Sequence, residues 1–217
     1  KFSWSPLGVL KALMSTSVSI RNGDVFTVTK PWEPVELYPL PMPWGEDEFE
    51  VYPNRDSLPF IEQYQMDDGL QIKQFVRGTL RYKGWKNAWG DIFSEVDTLD
   101  ASIAEARLKE ISDDLWDRYS YKDGEVDRVI LTVELKVEND TEVVWHKQYL
   151  MDTRGNDNGS AMAQLVSCSV ALAVEAVIGN EISSGVTAAP HQSKLVTRWL
   201  DQAEDISDHF VLIDHLN

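Results

Sequence analysis

Val51-Tyr52-Pro53-Asn54-Arg55-Asp56-Ser57 and, beyond an acidic spacer, Phe75-Val76-Arg77-Gly78-Thr79-Leu80-Arg81-Tyr82-Lys83-Gly84-Trp85 make up the stretch that organises this chain. From Gln71 to Tyr82 the residues alternate: Ile72, Gln74, Val76, Gly78, Leu80 and Tyr82 fall on one side, Lys73, Phe75, Arg77, Thr79 and Arg81 on the other. A period of two predicts a strand. Arg77, Thr79 and Arg81 then share a face, with about 7 Å between residues two apart. Two planar guanidinium groups at that spacing suit a ligand with two carboxylates. Gly78 carries no side chain, so something can approach the strand closely there. The alternative is that these arginines pair with Asp and Glu on a solvated sheet face. Pro53 to Ser57 reads as a turn from a short strand into a helix capped by Ser57. Capping accounts for Asp56 and Ser57 but leaves Arg55 unexplained.

The arginines stand out because the chain around them is acidic. Its 217 residues hold 20 Lys and Arg against 36 Asp and Glu, a formal charge of −16. Such a surface repels polyanions and argues against a nucleic-acid or anionic-membrane partner. A hydrophobic content of 43% is enough for one substantial core, in one domain or a domain with a small lobe. The lone cysteine, Cys168, excludes an internal disulfide and fits a reducing, cytoplasmic compartment; its small apolar neighbours predict a buried thiol. The apolar run Ala161 to Ile178 is interrupted by Gln164, Ser167, Ser169 and Glu175, which reads against a membrane span. His146, His191, His209 and His215 show no metal-ligand spacing, so no metal site is expected. Nor is there a glycine-rich dinucleotide- or phosphate-binding turn. The chain begins at Lys1 within a structured-looking segment, which suggests a piece of a longer protein.

Taken in order, Ser5-Pro6 and the stripe Leu7, Val9, Leu10, Leu13, Met14, Val18 predict a helix from Pro6 to about Ile20, ended by Asn22-Gly23. A strand follows at Val25 to Thr29. Five prolines between Lys30 and Gly45 predict an extended connector, wrapping an edge. Gly84 to Trp116 reads as two short helices broken at Asp97 to Asp100, with Trp85, Trp89 and Trp116 packing this lobe onto the sheet. Val126 to Glu138 and Glu142 to Met151 form a hairpin around a short turn. Asp152 to Ser160 is a polar loop leading into a helix from Ala161 to Ile178. Its first N–H groups and dipole offer an anion site, or are simply capped by Asn158 or Ser160. A helix from Gln192 to Ala203 and a strand from Phe210 to Ile213 close the chain. The fold class is α/β in the α+β sense: a mixed, largely antiparallel sheet covered by helices, with a small helical lobe near 84–116.

Several of these segments together resemble the C-terminal, substrate-binding domain of the saccharopine dehydrogenase family. They are Tyr52-Pro53-Asn54-Arg55-Asp56-Ser57 with Val76 to Trp85, the opening Lys1 to Leu10, Gly159 to Val166, and Ile182 to Pro190. They occur in the family's order and span nearly the whole chain. The resemblance implies an NAD- or NADP-dependent oxidoreductase of lysine metabolism acting on the C–N bond of an amino-acid conjugate. The cofactor would lie in an N-terminal Rossmann domain upstream of Lys1, and the isolated domain would be inactive. It further implies that residues 1–217 form one domain that holds the substrate carboxylates and joins a homodimer. Carried over by position, the substrate-binding candidates are Asn54, Arg55, Asp56, Ser57, Arg77, Thr79 and Arg81, with Gly159 and Ser160 in addition. No catalytic, cofactor-binding or metal-ligating residue is assigned to this chain. In fungal relatives a larger helical insertion occupies the place of the 84–116 lobe. Met14-Ser15 stands where glutamate-forming relatives carry an Arg-Asn pair for a substrate carboxylate. Losing such a contact costs on the order of a few kcal/mol, which points to another carboxylated amine or to one fewer carboxylate. A different reading is a non-catalytic binding or dimerisation module that kept the fold without the chemistry.

Overall fold

Pro6 opens a helix, α1 (Leu7–Leu13), that buries Val9, Leu10, Ala12 and Leu13 but ends at Met14, well short of Ile20. The computed structural model in which it is seen describes residues 1–66, 69–186 and 188–216. Thr187, in the Ile182 to Pro190 segment, lies outside the described residues. The chain divides into two compact units, Trp4–Tyr119 and Lys1–Ser3 with Ser120–Asn217.

In the first of these, the residues expected to continue α1 form β1 (Ser17–Arg21), paired antiparallel with β2 (Asp24–Val28). Asn22 and Gly23 have φ of 53° and 85°. They are the two left-handed residues of a tight hairpin turn rather than the end of a helix. The alternation of β1 buries Ser17 and Ser19, a two-residue period that outweighs the helical stripe. The proline-rich stretch contains a strand, β3 (Glu36–Met42), antiparallel to β4 (Gly45–Pro53). Pro39 and Pro41 are tolerated because β3 is an edge strand of the order β3-β4-β6.

After α2 (Pro59–Gln63), the strand expected over Gln71 to Tyr82 is split. β5 (Gln74–Phe75) pairs with β1, and β6 (Gly78–Tyr82) pairs with β4. Val76 and Arg77 cross from one three-stranded sheet to the other. Three helices follow in place of two: α3 (Trp85–Ala88), α4 (Gly90–Asp97) and α5 (Ala104–Tyr119). α5 buries Leu108, Ile111, Ser112 and Leu115 at helical spacing and contacts α1. Trp85 joins this lobe to β4 by stacking on Tyr52 at 4.7 Å, and Phe93 lies between Trp32 and Trp85 at 5.3 and 5.1 Å.

In the second unit β7 (Arg128–Glu138) and β8 (Val143–Arg154) form the long hairpin. Asn139 Oδ1 closes its turn by accepting from Thr141 N, Thr141 Oγ1 and Glu142 N. α6 (Ala161–Ile178) and α7 (Ser193–Asp205) come next, and then β9 (His209–Asp214), which pairs with β8. The register places Thr132, Glu134, Gln148, Leu150, Asp152, Val211 and Ile213 on one sheet face. Leu150 and Asp152 there are sealed, and Arg128 neutralises Asp152 through two bonds of 2.7 Å. The opposite face leaves Leu131, Val133, Leu135 and Val137 exposed. α6 likewise turns Val166, Val170, Val174 and Val177 outward and leaves Cys168 half-buried rather than enclosed. Contrary to the sequence reading, α6 has the length and apolar composition of a membrane span, with a mean hydropathy of 1.9. Only Glu175 in it is charged, and the hydroxyl and amide groups are too few to offset its Val, Ala and Leu. Pairing of β8 with β9 also brings together two histidines that sequence spacing kept apart: the His146 and His215 rings stack at 4.2 Å.

Candidate functional site

The turn Pro53 to Ser57 is held from two sides by its backbone. On the β1 side, Ser17 Oγ donates to Pro53 O (2.9 Å), Val18 N to Arg55 O (3.0 Å) and Ser57 N to Val18 O (2.8 Å). On the other, Asn54 N donates to Arg77 O (2.9 Å) and Arg77 N to Ser57 Oγ (3.0 Å). Ser57 is therefore not a helix cap. α2 starts after Leu58 without a side-chain cap, and the buried Ser57 hydroxyl fixes the peptide of Arg77 instead. Asp56 does cap locally, its Oδ1 accepting from Leu58 N at 2.9 Å. Arg55 holds a left-handed φ of 58°, a conformation that a non-glycine residue keeps only where its surroundings impose it.

With the backbone so fixed, the side chains are placed by register. Tyr52 lies opposite Thr79 and Glu50 opposite Arg81, so these four share a face of the β4–β6 pair. Asn54 Nδ2 donates to Thr79 Oγ1 at 3.1 Å. The Arg81 guanidinium carbon lies 5.9 Å from the Tyr52 ring centre and 5.8 Å from that of Trp85, flanking the Tyr52–Trp85 stack. Glu50 does not neutralise it: that carboxylate accepts from Gly84 N (2.8 Å) and Lys86 N (2.7 Å), holding the start of α3. Arg77, on the crossing segment, lies over the Phe60 ring at 3.6 Å rather than continuing the row of Arg81. The expected common face of Arg77, Thr79 and Arg81 is thus broken at Gly78, where the strand changes sheets. The close approach at Gly78 is made by the protein itself: a Cβ there would lie 2.8 Å from Val51 Cγ2.

Two features of this group are chemical. Among the described residues, no ion pair joins Arg55, Arg77 or Arg81 to a carboxylate, although the chain holds 36 acidic side chains. In addition, Asn54 Oδ1, Arg81 Nε and Trp85 Nε1 are buried without a hydrogen-bond partner. Buried donors and acceptors are nearly always satisfied, so three such atoms in one group are unusual; Arg198 Nε and Trp199 Nε1 in α7 are likewise unsatisfied. Tyr52 and Trp85 belong to this group and escaped the sequence reading, because only the cross-strand register puts them beside Arg81. A shallow cavity of about 430 Å³ along β2, lined by Phe26 to Thr29, Glu33 and Pro34, contains none of these residues.

Gly159 and Ser160 lie in the other unit. Ser160 caps α6, its Oγ accepting from Ala163 N at 3.2 Å. The N–H groups expected to await an anion are already taken by the buried Asp127 carboxylate, which accepts from Ala161 N (2.6 Å) and Met162 N (3.2 Å). Gly159 O accepts from Gln164 Nε2 at 2.8 Å. An internal carboxylate here does the work that the sequence reading left to a ligand. Every strand pair in the three sheets is antiparallel. Among the described residues there is therefore no parallel strand–helix–strand crossover of the kind that cradles a dinucleotide.

Comparison with known proteins gives one consistent relationship. A family model for the saccharopine dehydrogenase C-terminal domain matches residues 1–207. The chain is 27% identical to saccharopine dehydrogenase [NADP(+), L-glutamate-forming] of Pyricularia oryzae, across 90% of this chain and 57% of that protein. It is 38% identical to the mitochondrial alpha-aminoadipic semialdehyde synthase of Mus musculus over 94 residues, 41% of this chain and 9% of that one. The apo, histidine-tagged L-Glu-forming saccharopine dehydrogenase of Saccharomyces cerevisiae has a similar fold, with a TM-score of 0.73 at 22% identity, covering 98% of this chain and 62% of that one.

Proposed function

Because the chain belongs to the saccharopine dehydrogenase C-terminal domain family, we propose that it is the substrate-holding part of an oxidoreductase acting on the C–N bond of a carboxylated amino-acid conjugate. NAD or NADP would be bound by residues outside this chain; the fungal relatives carry NADP(+) in their names. The observation that carries the proposal is the set of arginines that form no ion pair with a carboxylate among the described residues, next to the unsatisfied Asn54 Oδ1, Arg81 Nε and Trp85 Nε1. Arg81 and Arg77 clamp substrate carboxylates, since a guanidinium fork matches a carboxylate and loses little hydration on binding it. Thr79 and the Trp85 indole N–H add donors, and Asn54 Oδ1 accepts from the amine N–H of the conjugate. Arg55, Asp56 and Ser57 set the turn that aims them.

The conjugate need not be saccharopine. Met14 is the C-terminal cap residue of α1 and the Ser15 hydroxyl is turned back onto Lys11 O at 3.1 Å, so this position supplies no guanidinium. A substrate with one fewer carboxylate fits that loss. The domain would join a homodimer in a reducing, cytoplasmic compartment; the outward apolar face of β7 supports the first and the free thiol of Cys168 is compatible with the second.

The test is steady-state kinetics of the complete enzyme. Arg81→Ala is expected to lower kcat/KM by roughly 10- to 150-fold, the worth of a hydrogen bond to a charged group, with the cofactor dissociation constant unchanged. Wild-type kinetics in that variant would remove Arg81 from the site. Absence of hydride transfer in the intact protein would leave only a binding or dimerisation module.

A further inference from the structure

We propose that Glu134, His146 and His215 form a binding site for one divalent transition-metal ion of the zinc type. The three come from β7, from β8 and from the residue just past β9, and the antiparallel register puts them on one sheet face. His215 N donates to His146 O at 3.0 Å, continuing the β8–β9 pairing by one step. Each residue offers a ligand atom within 4.8 Å of the other two. His146 Nε2 is 2.7 Å from Glu134 Oε1. Two imidazole nitrogens and one carboxylate oxygen are a donor set that zinc accepts with its fourth position open. A tetrahedral ion needs its ligand atoms roughly 3.3 Å apart, so the Glu134–His146 pair at 2.7 Å would open slightly and the separations nearer 4.8 Å would close, an adjustment made by the exposed Glu134 and His215 side chains.

The tautomer of His215 follows from the residues behind it. Thr132 Oγ1 donates its one hydrogen to Tyr149 O at 3.0 Å, so it must accept from Gln148 Nε2, at 2.9 Å. Gln148 Oε1 is then the acceptor that meets His215 Nε2 at 3.0 Å. The buried Gln148 thus keeps the proton on Nε2 and leaves the lone pair of neutral His215 on Nδ1, the arrangement by which outer groups orient a metal-binding imidazole. Lys136, directly opposite His146, has its ammonium 3.3 Å from Glu138. Lys147 and Asp214, paired at 3.4 Å, belong to the other face. A bound ion would tie the C-terminal end of β9 to the hairpin.

Calorimetric titration of the metal-stripped full chain with Zn²⁺ tests this, with Co²⁺ absorption as a second readout. One equivalent should bind, with a tetrahedral Co²⁺ spectrum and a raised Tm. His215→Ala should abolish binding or weaken it at least about tenfold, and so should Glu134→Gln, which alters only an exposed side chain. His191→Ala should change nothing. Binding that survives His215→Ala or Glu134→Gln undiminished in a folded chain would overturn the proposal, as would wild-type protein without a saturable site.

Discussion

Arg77 is positioned by its peptide group: its N–H and C=O are both bound by the Asn54 to Ser57 turn, and its side chain rests on Phe60. That division explains why the arginines were legible in sequence while the role of Ser57 was not. An arginine without a local partner stands out in an acidic chain, whereas a serine after Asp56 looks like any helix cap until the strand beside it is known. Gly78 gives a test at this scale. Ala at that position would bring Cβ to 2.8 Å from Val51 Cγ2 and 3.4 Å from Tyr52 O, and overpacking of this kind costs about 1–3 kcal/mol. Gly78→Ala should therefore lower the urea midpoint, and Val51→Ala added to it should recover part of the loss. Destabilisation that is simply additive in the double variant would show that Val51 is not the obstacle.

Among the elements, the helix-to-strand change after Leu13 shows a helical stripe giving way to pairing. Ser17 to Arg21 gains a partner on both edges, β2 and β5, which no local propensity anticipates. The α4–α5 pair carries the pH dependence. Arg107 bonds both Glu95 oxygens and also Glu110, and this holds the Glu95 carboxyl below its ordinary range and raises the guanidinium. A carboxyl with a lowered folded-state pKa contributes stability that is complete above its unfolded value and lost as pH falls through the folded one. The Tm difference between wild type and Arg107→Met should thus be present at pH 7 and shrink as pH drops below about 4. It should be small, because the two side chains are 42% and 38% exposed and water screens the pair. A difference that grows on acidification would contradict this assignment.

For the molecule as a whole, Leu131, Val133, Leu135 and Val137 form an exposed apolar row on β7, and α6 turns a valine stripe outward. Contiguous apolar surface of this kind marks a contact face in proteins that remain dispersed. With the homodimer proposed above, sedimentation equilibrium should give twice the chain mass of 24.7 kDa, and Val133→Glu should shift the protein towards monomer. A monomer at high concentration in the wild type would leave this face to another part of the protein. The chain spans 57% of the Pyricularia oryzae relative and 62% of the Saccharomyces cerevisiae structure, so such a part has room to exist in proteins of this family.

The sequence by itself determined the family, the antiparallel character of the sheets, the β7–β8 hairpin and the arginine-bearing turn, because alternation, turn residues and charge are local properties. Only the tertiary structure decided that the arginine strand divides between two sheets, that Asp127 fills the α6 N-terminus, and that His146 and His215 meet. Each of these depends on which distant backbone supplies the hydrogen bonds that a segment cannot make for itself. Residue spacing along one chain carries no record of that choice.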